Sequence, residues 1–69
     1  MNKLPPMKYK VDDIVTFKIQ ENIRVGVIEV ADFGGAFELD YHSYDVFVKD
    51  ENCLYKHIPE KDILSQLSI

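Results

Sequence analysis

The chain has one cysteine, no tryptophan, three glycines and three prolines in 69 residues. A single cysteine, Cys53, excludes an intramolecular disulfide. No set of cysteines and histidines has the spacing of a structural zinc site. A domain this short buries only roughly 60% of the surface its unfolded chain exposes. With neither kind of staple, its stability must come from packing, as a monomer or a weak homodimer. Apolar runs extend for only a few residues, so no membrane-spanning segment is expected. The opening Met1-Asn2-Lys3-Leu4-Pro5-Pro6 lacks the apolar stretch and small-residue cleavage site of a secretory signal. The expected location is the cytoplasm, which a lone thiol also fits. Positive charge is scarce, at 8 basic against 12 acidic side chains, a net of −4 and a pI near 4.9. That is a poor start for a protein that must neutralise nucleic-acid phosphates. The charge is also uneven: residues 1–24 hold five basic and three acidic groups, and residues 25–69 hold three basic and nine acidic. A local basic patch from Lys8, Lys10, Lys18 and Arg24 therefore stays open.

What is present is a run of strand signals. The composition is 46% hydrophobic, with four Phe and four Tyr, which argues against disorder. Residues 1–8 read as a flexible arm, since Pro5-Pro6 favours extended backbone without amide donors. Asp12-Asp13 is a turn pair. Ile14 to Ile19 is a strand whose alternation puts Val15, Phe17 and Ile19 on one apolar face. Gln20-Glu21-Asn22 makes a short hairpin connection. The second strand runs from Ile23 or Arg24 to Ala31, with apolar residues on both faces, as in a bent strand serving both halves of a barrel. Val25, Val27 and Ala31 are expected to face one way, and Gly26, Ile28 and Val30 the other. Gly26 marks a bulge or a close backbone approach. Gly34-Gly35 is expected to reverse the chain through positive φ. The segment 34–43 is either a strand or a loop. Tyr44–Val48 and Cys53–Ile58 form a hairpin across a polar turn. Pro59-Glu60-Lys61-Asp62 reads as one helical turn, and Ile63–Leu67 as a last short strand.

This order predicts an all-β domain over residues 9–69: a small barrel of about five strands with a single helical turn before the last. It resembles an SH3-like barrel. Two pieces carry the resemblance, Tyr9-Lys10-Val11-Asp12-Asp13-Ile14-Val15 and His57-Ile58-Pro59-Glu60-Lys61-Asp62-Ile63. Within that fold, Asp13-Ile14-Val15, Gly26-Val27-Ile28-Glu29 and Gly35-Ala36-Phe37-Glu38-Leu39 resemble the YopX-like barrels, and the chain is similar to the YopX-like and YorP-like groups of Gram-positive bacteria and their phages. The large glycine- and asparagine-rich insertions of some relatives are missing. The resemblance implies a fold and a phage or prophage setting, and no active site.

No constellation points to catalysis, and no cofactor is expected. Cys53 and His57 share a strand face, but four residues of strand separate them by about 13 Å, too far for proton transfer. Asp40, His42 and Asp45, with His57 and Cys53 on a neighbouring strand, are weighed as metal ligands; chance clustering in an acidic region accounts for them, and no metal is expected. Gly34-Gly35 matches no phosphate-binding fingerprint. The aromatics around the long connection are the better lead. Phe33 and Phe37 suit the ends of a small core. Tyr41 and Tyr44, set between polar neighbours, suit either core or surface. The expected binding set is Phe37, Asp40, Tyr41, His42, Tyr44 and Tyr55. The expected function is non-enzymatic: a module that binds a protein partner, a basic or proline-rich peptide fitting a tyrosine–acid surface. The alternative is a nucleic-acid-associated barrel using Tyr9 with Lys8, Lys10, Lys18 and Arg24.

Overall fold

The structure is a computed structural model describing residues 4–37 and 39–67, excluding the side chains of Ala36 and Phe37. Five strands form one antiparallel sheet: β1 (Ile14–Ile19), β2 (Asn22–Asp32), β3 (Ser43–Val48), β4 (Cys53–Pro59) and β5 (Ile63–Gln66). Their order across the sheet is β4-β3-β2-β1-β5. A 3-10 turn, Glu60–Asp62, leads directly into β5. The expected all-β architecture, with its one short turn before the final strand, is the one observed. Two further 3-10 turns occupy Gly34–Phe37 and Lys49–Glu51. The described residues contain no helix long and apolar enough to cross a membrane.

β2 is the organising strand. Its first half pairs with β1, Asn22 opposite Ile19 through Val27 opposite Ile14. Its second half pairs with β3, Val27 opposite Phe47 through Asp32 opposite Ser43. The sheet can bend there because Gly26 has no side chain. A Cβ at this position would sit 2.6 Å from the Phe47 carbonyl oxygen and 2.7 Å from Val46 Cγ1. Of the two roles expected for Gly26, close approach is the correct one.

The core is Val15, Phe17, Ile28, Tyr44, Val46, Val48, Ile58 and Ile63, with Met7, Tyr9, Ile19, Ala31 and Tyr55 packed against it. The β1 alternation holds: Val15 and Phe17 are fully buried. The β2 alternation does not hold to its end. The β2–β3 register shifts between Ile28 and Val30. That bulge at Glu29 turns Ile28 and Ala31 toward the core and leaves Val30 41% exposed. β4 has a matching irregularity. The register shifts opposite Asp45, His57 takes φ 60°, and Tyr55 and Ile58, three residues apart, both face inward. A bulge adds one residue to one strand and re-phases everything beyond it. Cys53 and His57 therefore do not share a face as simple alternation would have it.

The turn before β1 is closed by Asp13, which is nearly buried. Its carboxylate accepts the Lys10 amide at 3.0 Å and the Lys10 ammonium at 3.0 Å. Burial alone would raise the Asp13 pKa; the Lys10 hydrogen bonds and charge outweigh it and hold the carboxyl below its ordinary value. A depressed folded-state pKa contributes stability that is present above the unfolded value, about 3.9, and is lost as pH falls through the folded one. The expected result is that Asp13→Asn lowers stability at neutral pH and flattens the acid limb of a denaturant-midpoint profile between pH 5 and 2. A profile as steep as that of the unmodified chain would refute this.

Candidate functional site

The connection between β2 and β3 is not a strand. It enters a 3-10 turn at Gly34, and β3 begins only at Ser43. No described glycine has positive φ. Gly34 is required for space: a Cβ there would lie 1.9 Å from the Tyr41 carbonyl oxygen. The connection folds back on itself, and His42 holds the fold. Its Nδ1 accepts the Gly34 amide at 3.0 Å, which leaves the ring proton on Nε2. Nε2 donates to the Pro5 carbonyl at 2.6 Å. The Phe33 ring lies against the imidazole, centroids 4.6 Å apart. His42 is only 2% exposed. It is a clamp, not a surface ligand, which corrects its place in the expected binding set.

The same arrangement places the described part of the arm, residues 4–8. The arm lies along the barrel, held by its backbone. The Pro5 carbonyl accepts from His42, the Lys8 amide donates to Glu60 Oε2 at 3.0 Å, and the Tyr9 amide donates to the Tyr44 hydroxyl at 3.4 Å. Met7 packs on the core.

Tyr44 is the largest fully buried side chain, so it presents no surface. Its neighbours Ser43 and Asp45 are polar, yet both are buried with it. The Tyr44 hydroxyl donates to Glu60 Oε2 at 2.5 Å. Burial first, and the Glu60 carboxylate second, hold its pKa far above that of a free phenol. Tyr55 also leaves the expected set. It sits at the other end of β4 from Pro59, its ring edge-on to Phe17 at 5.6 Å. Its hydroxyl donates to Glu51, which also accepts from Arg24 Nε at 2.6 Å. The Tyr55 hydrogen bond, then Arg24, keep the Glu51 carboxyl below its ordinary value.

Asp40 and Tyr41 remain exposed on the outside of the connection, Tyr41 at 44%. They face Pro59 and Lys61 across an open groove of about 430 Å³. The groove continues into a second hollow of about 240 Å³ that reaches Glu60, His42 and the arm at Leu4 and Pro5. Phe33 and Leu39, both 42% exposed, stand on the same connection. The side chain of Phe37 and all of Glu38 lie outside the described residues. Of the six expected residues, the structure thus brings Asp40 and Tyr41 together at the surface. It adds Pro59, Glu60 and Lys61, for which the sequence carried a helical turn but no binding signal.

The alternative basic set is partly neutralised by ion pairs. Lys10 is paired with Asp13 and Arg24 with Glu51. Tyr9 is half-buried, edge-on to Tyr44 at 5.8 Å. Compared with protein-family models, with curated proteins and with solved structures, the chain matches none, so its site is read from this geometry alone.

Proposed function

We propose that the chain is a non-enzymatic binding module whose groove, between Asp40-Tyr41 and Pro59-Lys61, takes an extended, proline-containing peptide of a protein partner. One observation carries this reading: the chain's own Leu4, Pro5 and Lys8 form one wall of the adjoining hollow, and the barrel holds that proline-containing segment through its backbone, at the Pro5 carbonyl and the Lys8 amide. A peptide in extended conformation offers alternating carbonyls and amides, and His42 and Glu60 meet one of each. Proline fits because its fixed φ lowers the entropy lost on binding and it needs no amide acceptor. Tyr41 supplies a flat apolar face with a polar tip. Asp40 suits a basic residue in the partner. The similarity to YopX-like and YorP-like proteins suggests an accessory role in a phage or prophage for such a module.

The test is a panel of synthetic proline-containing basic peptides measured against the intact chain. Tyr41→Ala is expected to weaken the best binder by about 10-fold or more, the loss typical of an aromatic anchor. Tyr55→Phe, on the far end of β4, is expected to leave it unchanged. No binding anywhere in the panel, or equal losses in both variants, would overturn the reading.

A further inference from the structure

We infer that Asp32, Asp45 and His57 form a binding site for a divalent transition-metal cation, of which Zn²⁺ and Mn²⁺ are the probes. The three residues come from three adjacent strands, β2, β3 and β4. One candidate ligand atom from each lies within 4.8 Å of the other two. The register explains the convergence. Asp45 stands opposite Val30 and Asp32 opposite Ser43, so the two aspartates are diagonal neighbours on one face of the β2–β3 pair. His57 joins them because of the β4 bulge. Its φ of 60° breaks the alternation, and its amide donates to Asp45 Oδ1 at 3.0 Å. The same irregularity that spoils the strand pattern delivers the imidazole.

The electrostatics call for a cation. Asp45 is only 9% exposed. One of its oxygens takes the His57 amide; the other is not sealed from solvent, since no buried side-chain oxygen among the described residues lacks a partner, and it is free to take a ligand. Neither Asp45 nor Asp32 makes an ion pair with a lysine or arginine among the described residues. Two carboxylates this close repel each other, and a cation held between them relieves that repulsion. The cationic side chains paired with carboxylates elsewhere among the described residues, Lys10 and Arg24, are engaged with Asp13 and Glu51.

The ligand set chooses the ion class. One imidazole nitrogen with two carboxylate oxygens suits first-row transition cations; Ca²⁺ and Mg²⁺ prefer oxygen alone. Donors of a four-coordinate Zn²⁺ at about 2.1 Å lie about 3.4 Å apart, and rotation of the exposed His57 ring and the Asp32 carboxylate closes the gap from 4.8 Å. A cleft of about 290 Å³ bounded by Asp32, Leu39, Ser43 and His57 leaves room for water in the remaining positions. The site differs from the set weighed from the sequence. His42 and Asp40 take no part in it, and Asp32 replaces them.

The experiment is Zn²⁺ calorimetry on the intact chain, with Mn²⁺ line-broadening of its ¹⁵N–¹H spectrum to locate the ion. One Zn²⁺ per chain is expected. Asp32→Asn and His57→Asn should each weaken it by 10-fold or more, Asn being chosen at 57 because it tolerates positive φ. Both variants should keep the unmodified chain's spectrum elsewhere. Mn²⁺ should broaden the amides of residues 32, 45 and 57 before any other. Absence of Zn²⁺ uptake, uptake by either variant as tight as by the unmodified chain, or broadening centred on other carboxylates would overturn the assignment. Asp32→Asn leaves the Asp45–His57 hydrogen bond in place, so it separates loss of a ligand from loss of the bulge.

Discussion

Gly34→Ala is expected to cost about 3 kcal/mol or more, enough to leave much of the chain unfolded at 25 °C. A domain of this size has a total stability of roughly 3–10 kcal/mol at 0.05–0.15 kcal/mol per residue. The added Cβ would lie 1.9 Å from the Tyr41 carbonyl oxygen and 2.5 Å from its carbon, both backbone atoms. No rotamer change relieves a backbone clash, so the 3-10 turn and the strand entrance must separate. Separation breaks the Gly34 amide bond to His42 Nδ1. It also frees the imidazole from the Pro5 carbonyl, since one ring bridges both. A buried group left without its partner costs about 1–3 kcal/mol on its own. Gly35→Ala is the control. Its Cβ meets only the Phe33 ring, at 2.6 Å, and that side chain is 42% exposed and can turn away. Its effect should stay below about 1 kcal/mol, the ordinary range for a surface change. Urea midpoints of the two variants check the contrast, and similar midpoints would refute it.

The second large effect belongs to Tyr44. Truncation to alanine removes the largest fully buried side chain. Aromatic-to-alanine changes in cores cost about 3–5 kcal/mol, so Tyr44→Ala should not fold stably. Tyr44→Phe is the informative variant. It keeps the ring and its edge contact with Tyr9, but it leaves Glu60 without its hydroxyl donor and the Tyr9 amide without its acceptor. The expected loss is about 1–3 kcal/mol. The pH dependence gives a sharper readout. Burial and the Glu60 carboxylate raise the folded-state pKa of Tyr44. A raised pKa means its stabilisation is complete below the unfolded phenol value, about 10, and is lost as pH rises above it, by up to about 1.4 kcal/mol per pH unit. Tyr44→Phe should shallow that alkaline limb. An unchanged limb in denaturant titrations from pH 9 to 12 would show that Tyr44 does not ionise on unfolding.

Much of the scaffold was legible in the residues. Ile14 to Ile19 alternates cleanly because β1 has one wet face and one dry one. Pro59-Glu60-Lys61-Asp62 declared its turn through a proline where an amide is not needed. The failures share a cause. Both bulges lie opposite Asp45, at Glu29 and beside His57. Neither has a local signature, because an extra residue is defined by the partner strand's count. Reading straight alternation through them set Val30 on the face of Ile28, and His57 on the face of Cys53. Tyr44 misled for a related reason. Polar neighbours suggested a surface, but β3 is flanked by strands on both sides, and Ser43 and Asp45 are covered as well. The grouping of Asp32 with residues 13 and 25 positions later depends wholly on register. The role of His42 is similarly non-local: its partners, Pro5 and Gly34, are separated from each other by the whole of β1 and β2.

The fastened arm bears on which peptides the proposed module admits. Leu4, Pro5 and Lys8 wall the hollow beside the groove, and the arm's backbone already engages His42 and Glu60 there. A segment fastened a few residues from its binding site experiences an effective concentration of about millimolar. A free peptide that sought the same two backbone bonds would have to lift the arm, and its apparent dissociation constant would be the intrinsic one divided by the fraction of chains whose arm has lifted. A peptide confined to Asp40, Tyr41, Pro59 and Lys61 would meet no such competitor, because the arm does not line that groove.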